Sequence, residues 1–198
     1  MAHCSITERE GLPTSVSTTV YCGLVENWER IELFSSFLKL TGEIEVVPPL
    51  RLTDAVNRMT EYLEVRQLTL DPLASTYPVI STVEESAMVS KRSILIIAPS
   101  GEGNSDLGGR RALMEQKVAH QVALTIDTFS LVCEVFLEPR LSLRETLERS
   151  VDDFLAVRNL NAVWLPALTH ERVTVQRPFA LVHPRQILSF SERGSTPL

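Results

Sequence analysis

The sequence predicts a mainly β protein with short helices (α+β), built as two tandem repeated modules. Each module is expected to be a small bent antiparallel sheet, or open barrel, of about four strands plus one short helix. Three observations lead there. The stretch LTGEIEVVPPLRLTDAVNRMTEYLEVRQL (40–68) recurs as LVCEVFLEPRLSLRETLERSVDDFLAVRNL (131–160), and an internal repeat constrains architecture before any single element does. Most runs between turn residues alternate apolar and polar positions, the signature of half-buried strands. With 44% hydrophobic and 22% charged residues, the chain has material for a packed core and an ordinary solvated surface.

The repeat aligns Glu43 with Glu134, Pro48 with Pro139, Leu52 with Leu143 and Arg58 with Arg149. After one extra residue in the second copy, Leu63 falls on Leu155, Arg66 on Arg158 and Leu68 on Leu160. Downstream, KRSILIIAP (91–99) is similar to QRPFALVHP (176–184), which places Arg92 on Arg177. These matches divide the chain into an arm (1–29) with an extra strand at Val16 to Leu24, a first module (30–99), a Gly-rich linker (100–120), a second module (121–190) and a polar tail (191–198). Modules of about 70 residues bury little surface alone, so the two are expected to pack on each other as a pseudo-dimer, their sheets abutting or joining edge to edge into one larger sheet.

Within each module the elements follow in order. A hairpin comes first, with strands at 30–35 and 37–47 in copy one and at 121–126 and 129–137 in copy two. Winding residues 26–40 as a helix is the competing reading, and the match to copy two favours strands. Pro48 and Pro139 end the hairpins because proline has no N–H for the ladder. A short amphipathic helix follows, with Leu52, Val56 and Met59, or Leu143, Leu147 and Val151, at helical spacing. Ser142 and Glu145 have the spacing of a capping box. Arg51 stands where Ser142 does, so Thr53 or Asp54 is expected to cap the first helix. A third strand spans 62–70 and 154–165. A long connection in copy one (71–89) and a shorter one in copy two (166–172) lead to a fourth, at 91–98 and 173–183. The run Ile94 to Pro99 suits a buried strand. SGEGNSDLGGRR (100–111) reads as a linker, and ALMEQKVAH (112–120) as an added helical turn.

Leu52 to Asn57 (LTDAVN), set between an apolar hairpin and the strand YLEVRQLTL, resembles a small uncharacterised bacterial family of β-rich modules. Its members carry a strand, an L-[ST]-D-x-L-N turn and two more strands. Copy two departs from that pattern, with Glu145 and Glu148 at the Asp54 and Asn57 positions. The resemblance implies no activity. More loosely, the strand count resembles Sm-like and SH3-like small barrels, which implies an interaction or assembly role.

Chemistry-bearing residues are sparse. Net charge is −6 and no segment has a basic excess, which argues against a nucleic-acid surface. No apolar run has the length of a membrane span, and the N-terminus lacks a signal-peptide core, so a cytoplasmic protein is expected. Cys4, Cys22 and Cys133 are odd in number and lack metal-ligand spacing, and Cys133 reads as a small buried hydrophobe. His3, His120, His170 and His183 stand apart, His183 reading as a strand-end or surface residue. GEGNSDLGG lacks the GK[ST] ending of a phosphate loop. The duplicated arginines, Arg58 with Arg149, Arg66 with Arg158 and Arg92 with Arg177, are the most specific polar feature. They are candidates to grip a carboxylate or phosphate, or to bond the duplicated Glu43 and Glu134.

The sequence thus predicts a non-catalytic structural or protein-interaction protein, with a protein partner or a homo-oligomer, no nucleic acid, no membrane, no metal and no cofactor. The alternative is a small-ligand or anion binder with its site between the modules.

Overall fold

The computed structural model describes residues 27–74, 82–100, 117–165 and 172–193. Ten strands form one sheet: β1 (Trp28–Phe34), β2 (Leu38–Glu45), β3 (Tyr62–Pro72), β4 (Thr82–Ser90), β5 (Ile96–Pro99), β6 (Val118–Ile126), β7 (Phe129–Leu137), β8 (Leu155–Trp164), β9 (Val173–Val182) and β10 (Ile187–Glu192). The helices α1 (Leu52–Arg58) and α2 (Leu143–Arg149) follow β2 and β7, and 3₁₀ turns at Lys91–Ser93 and Pro184–Gln186 precede β5 and β10. The strand order is β10-β6-β7-β8-β9-β5-β1-β2-β3-β4, and every neighbour is antiparallel.

This corrects the expectation of two tandem four-strand modules, each its own small sheet or open barrel. The sheet is single and continuous, because β5 of the first half pairs with β9 of the second, Ile96 opposite Val182 and Ile97 opposite Leu181. Each half supplies five strands. Two were missed: β10, which follows the strand expected at 173–183, and β4, nearly all of which lies within the stretch assigned to a long connection. Val83 and Met88 are exposed there beside Glu84 and Glu85, so this edge strand has no apolar face to announce it. Val118 to His120 begin β6 and do not extend a helical turn. The expected arm, most of the linker and the end of the tail lie outside the described residues.

The register shows which positions correspond. In the first half Leu33 pairs with Ile97 and Leu63 with Val89. In the second, Leu124 pairs with Phe190 and Leu155 with Val182. The Ser100 amide donates to the Arg30 carbonyl as the Arg193 amide donates to that of Gln121. Residues 91–99 therefore correspond to 184–192, not to 176–184. Arg92 matches Arg185, and Arg177 matches Glu84.

Successive strand residues face opposite sides of a sheet, and the seam between β5 and β9 uses both. Ile97 and Leu181 enter one core, with Ile31, Leu33, Ile44, Leu63 and the α1 residues Leu52 and Val56. Ile96, Ala98, Ala180 and Val182 enter the other, with Leu124, Leu131, Val135, Val157 and Trp164. The two cores thus lie on opposite faces at the seam. Phe154, just before β8, crosses into the first half's core. Asn57 of α1 holds its backbone there, donating to the Phe154 carbonyl at 3.1 Å and accepting from its amide at 2.9 Å. Reciprocally, Phe34 of β1 meets Phe129 of β7 edge-on at 6.4 Å between centroids, and the Trp164 indole donates to the Ser36 carbonyl at 3.0 Å.

Local chemistry fixes the smaller elements. Ser142 and Glu145 form a complete capping box on α2. On α1 the cap residue is Arg51 and no side chain caps it, so neither Thr53 nor Asp54 fills that role. Gln67 and Asn159 share φ 49° at matching places in β3 and β8. Gly42 in β2 faces the bulge beside Gln67, and a Cβ there would sit 2.4 Å from Val65 Cγ1 and 2.8 Å from the Arg66 carbonyl oxygen. The matching residue in β7 is Cys133, so only the first half closes this tightly. Gly42→Ala is expected to destabilise the protein by about 1–3 kcal/mol, as overpacking does, measured as a lowered urea midpoint. An unchanged midpoint would show that β3 yields freely at this place.

Candidate functional site

Polar and charged side chains are gathered most densely at the seam. There a cleft of 380 Å³ is lined by Thr60, Glu61, Lys91, Arg92, Asp153, His183, Arg185 and Gln186. The two 3₁₀ turns build it. The first joins β4 to β5 and the second β9 to β10, strands that are not neighbours in the sheet; Lys91 and Arg92 come from the first turn and Arg185 and Gln186 from the second. The loop before β3 brings Glu61, and the loop before β8 brings Asp153.

Lys91 is 2% exposed. Its ammonium donates to the Met59 carbonyl at 2.9 Å and meets the Asp153 carboxylate at 2.5 Å. A buried ammonium needs such partners, because desolvation of an unpaired charge is costly. The Lys91 hydrogen bond holds the Asp153 carboxyl below the usual carboxylate range. Arg92 pairs with Glu61 at 3.0 Å in an exposed contact, a type that adds little stability.

His183 is 5% exposed. Its ring meets Phe154 edge-on at 5.2 Å, and its Nδ1 is buried with no hydrogen-bond partner in the structure. Burial lowers the imidazole's pKa below the ordinary histidine value; Asp153 acts the other way, and Arg185 and Lys91 add to the lowering. His183 is therefore neutral at pH 7; it stands at the end of β9, as expected, but is buried at the core edge and not on the surface.

A second charged cluster crosses the seam on the other face. Glu32, 6% exposed, meets Lys39 at 2.8 Å. The Arg177 Nε–H donates to it at 2.9 Å, and Arg177 Nη2 also contacts it. Burial raises the Glu32 carboxyl's pKa, but hydrogen bonds and charge from Lys39 and Arg177 bring it to a net lowering. This cluster ties β9 to β1 across the short β5 and is structural.

The six duplicated arginines are not brought together. Arg58 and Arg149 end their separate helices, both exposed. Arg66 stacks on Trp28 at 3.8 Å, and Arg158 lies over Phe136 at 5.0 Å. Each is also opposite its duplicated glutamate, Arg66 across from Glu43 and Arg158 across from Glu134. Arg177 belongs to the Glu32 cluster. Of the six, Arg92 alone lines the cleft, and its true counterpart Arg185 joins it there. The sequence reading missed Lys91, Asp153 and Arg185 as site residues. Arg185 was findable from the similarity of KRSIL to PRQIL; nothing in the pattern marks Lys91 as buried.

The remaining features are quieter. Burial, with the Glu134 charge, pushes the Cys133 thiol up to about 12, so it is an inert core residue. His120 lies 3.9 Å from Glu192. Among the described residues, no group of three or more His, Cys, Asp or Glu could hold a metal, and no helix is long and apolar enough to cross a membrane. His3, His170, Cys4, Cys22 and the GEGNSDLGG stretch lie outside the described residues. No protein-family model, curated protein or solved structure matches this chain.

The cleft has a pH signature. A histidine whose folded pKa lies below its unfolded value, about 6.5, contributes full stability above that value. The contribution is lost as pH falls through the folded pKa. Chemical denaturation between about pH 7 and 5 is therefore expected to show declining stability. His183→Phe keeps a ring against Phe154 and should flatten that decline. An unaltered slope would mean that other groups carry it.

Proposed function

We propose that this protein is a non-catalytic structural or protein-interaction protein that binds a protein partner along the open edges of its sheet. One observation carries the reading. Among the described residues, no element pairs with the outer side of β4 or of β10, and both strands expose large apolar side chains. Met88 is 65% and Val83 71% exposed on β4, and Leu188 is 72% and Phe190 42% exposed on β10. Unpaired edge backbone with apolar side chains is a template for strand addition. Edges that only need to stay solvated are usually blunted by lysine, proline or bulges; neither strand carries a lysine or proline, and although β10 shifts register between Ile187 and Ser189, Ser189 to Glu192 run regularly against β6. Amide hydrogen exchange of the dilute monomer tests this. Outward amides of β4 and β10 should exchange at least about tenfold faster than the seam amides of 96–98 and 180–182. Slow exchange at both edges in the monomer would mean that the chain covers them itself, and would end the reading.

A second reading, a small-anion binder, is supported by the cleft, where Lys91, Arg92 and Arg185 converge and a buried imidazole nitrogen lacks a partner. Asp153 and Glu61 reduce the net positive charge, so the expected affinity is weak. Titration calorimetry with inorganic phosphate should give a dissociation constant of about 1 mM, weakened by Arg185→Gln. No heat of binding, or binding indifferent to that change, removes the reading.

A further inference from the structure

We infer that the partner at these edges is a second copy of this chain, added head to tail, with β10 of one molecule paired to β4 of the next. The inference rests on the edge-binding reading above and names its occupant. The argument is that the chain already contains this junction once. At the seam, the last strand of the first half (β5) pairs with the fourth strand of the second (β9). The strands corresponding to those two are β10 and β4, the two whose outer sides pair with no element among the described residues. A half whose fifth strand accepts another half's fourth strand has a heterologous interface, which repeats until it closes on itself or runs on as a filament.

The seam predicts the register. Ile96 opposite Val182 and Ile97 opposite Leu181 translate into Ser189 opposite Val89 and Phe190 opposite Met88 of the neighbour. The His183 amide donates to the Leu95 carbonyl at 3.0 Å; its counterpart runs from the Ser90 amide to Leu188. The exposures fit a missing neighbour. Leu95 is 3%, Ile97 0% and Leu181 0% exposed at the seam, whereas the matching Leu188, Phe190 and Met88 are 72%, 42% and 65% exposed. Tyr62, half-exposed beside β4, occupies the place of Phe154, the residue that the second half inserts into the first. Continuing the register sets Arg193 opposite Glu85, an opposite-charge cross-strand pair.

The outer junction is the weaker of the two. Ser189 and Ser191 replace Ile96 and Ala98, and Pro184 replaces Lys91, so the buried ion pair to Asp153 has no counterpart. Association is therefore reversible and concentration-dependent, while the seam is permanent.

Full-length chains with Cys4 and Cys22 changed to serine provide the test, the buried Cys133 being unreactive. Met88→Cys and Leu188→Cys are made separately, mixed, and treated with a short bis-maleimide. The expected product is a cross-linked pair containing one of each, with neither variant cross-linking alone. Sedimentation of the unmodified chain should show mass rising with concentration, and Leu188→Lys should weaken association roughly tenfold or more. Self-linked Met88→Cys dimers would overturn head-to-tail pairing, since like edges would then meet. A chain monomeric up to about 1 mM with no mixed product would overturn the second copy as occupant. In that event, fast edge exchange in the monomer leaves edge binding standing with a different partner. Slow edge exchange means that residues of the same chain cover the edges, and the edge-binding reading falls too.

Discussion

The pairing of β5 with β9 is the constraint on which the rest of the molecule depends. It is short, two residue pairs long, yet it forces consecutive side chains into different cores. Leu95 to Ala98 and Ala180 to Val182 are all buried, so these segments have no solvent face, and each half is completed by residues of the other. Phe154, Leu181 and Phe179 finish the first core, and Phe34, Leu73 and Leu95 finish the second. Neither half is a domain in the sense of owning its core. The small size that makes an isolated half marginal is overcome by this exchange of apolar surface.

The charged cleft is a by-product of the same junction. The 3₁₀ turns that lead into β5 and β10 are stacked against each other, so their basic residues converge. Lys91 is buried there because Asp153 and the Met59 carbonyl satisfy it. His183 is neutral because it replaces a surface position with one wedged against Phe154. On the opposite face, Arg177 of β9 reaches Glu32 of β1, whose cross-strand partner in β5 is Ala98. Both polar clusters therefore sit where the two halves meet.

Much of this was legible in the sequence, and the failures have physical causes. The hairpins, the helices beginning at Leu52 and Leu143 and the α2 capping box follow from periodicity and spacing, which are local properties. The assignment of Ile94 to Pro99 to a buried strand also rested on a local signal, an unbroken apolar run. The same signal misled the alignment. Residues 94–98 and 179–182 look alike because they are partners at the seam, both buried on both faces; they are not equivalent positions. Shared environment produced the similarity that shared position would have produced. The error carried Arg92 onto Arg177 and concealed Arg185. It also left β4 and β10 unseen, since the fifth strand of the first half had been matched to the fourth of the second. An edge-to-edge join of the two sheets was among the arrangements the sequence allowed, but it could not be chosen over abutting sheets, because backbone pairing between β5 and β9 leaves no mark in either strand apart from its burial.

The paired residues Gln67 and Asn159, each at φ 49°, have a consequence for how the gene can change. Before Asn159 the inward side chains of β8 are odd-numbered, as at Val157; after it they are even-numbered, as at Leu160, Ala162 and Trp164. β3 behaves alike, with Val65 before Gln67 and Leu68 after it. One extra residue thus acts as a phase shift within each strand. Loss of the codon for Asn159 itself would leave a regular alternation with Val157, Leu160, Ala162 and Trp164 still inward, whereas loss of the codon for Asn161 would present Trp164 to water and Val163 to the core. Tolerated insertions and deletions in these two strands are therefore restricted to their ends and to the extra residue itself, and elsewhere the spacing of inward residues is set by parity as firmly as any side chain is set by volume.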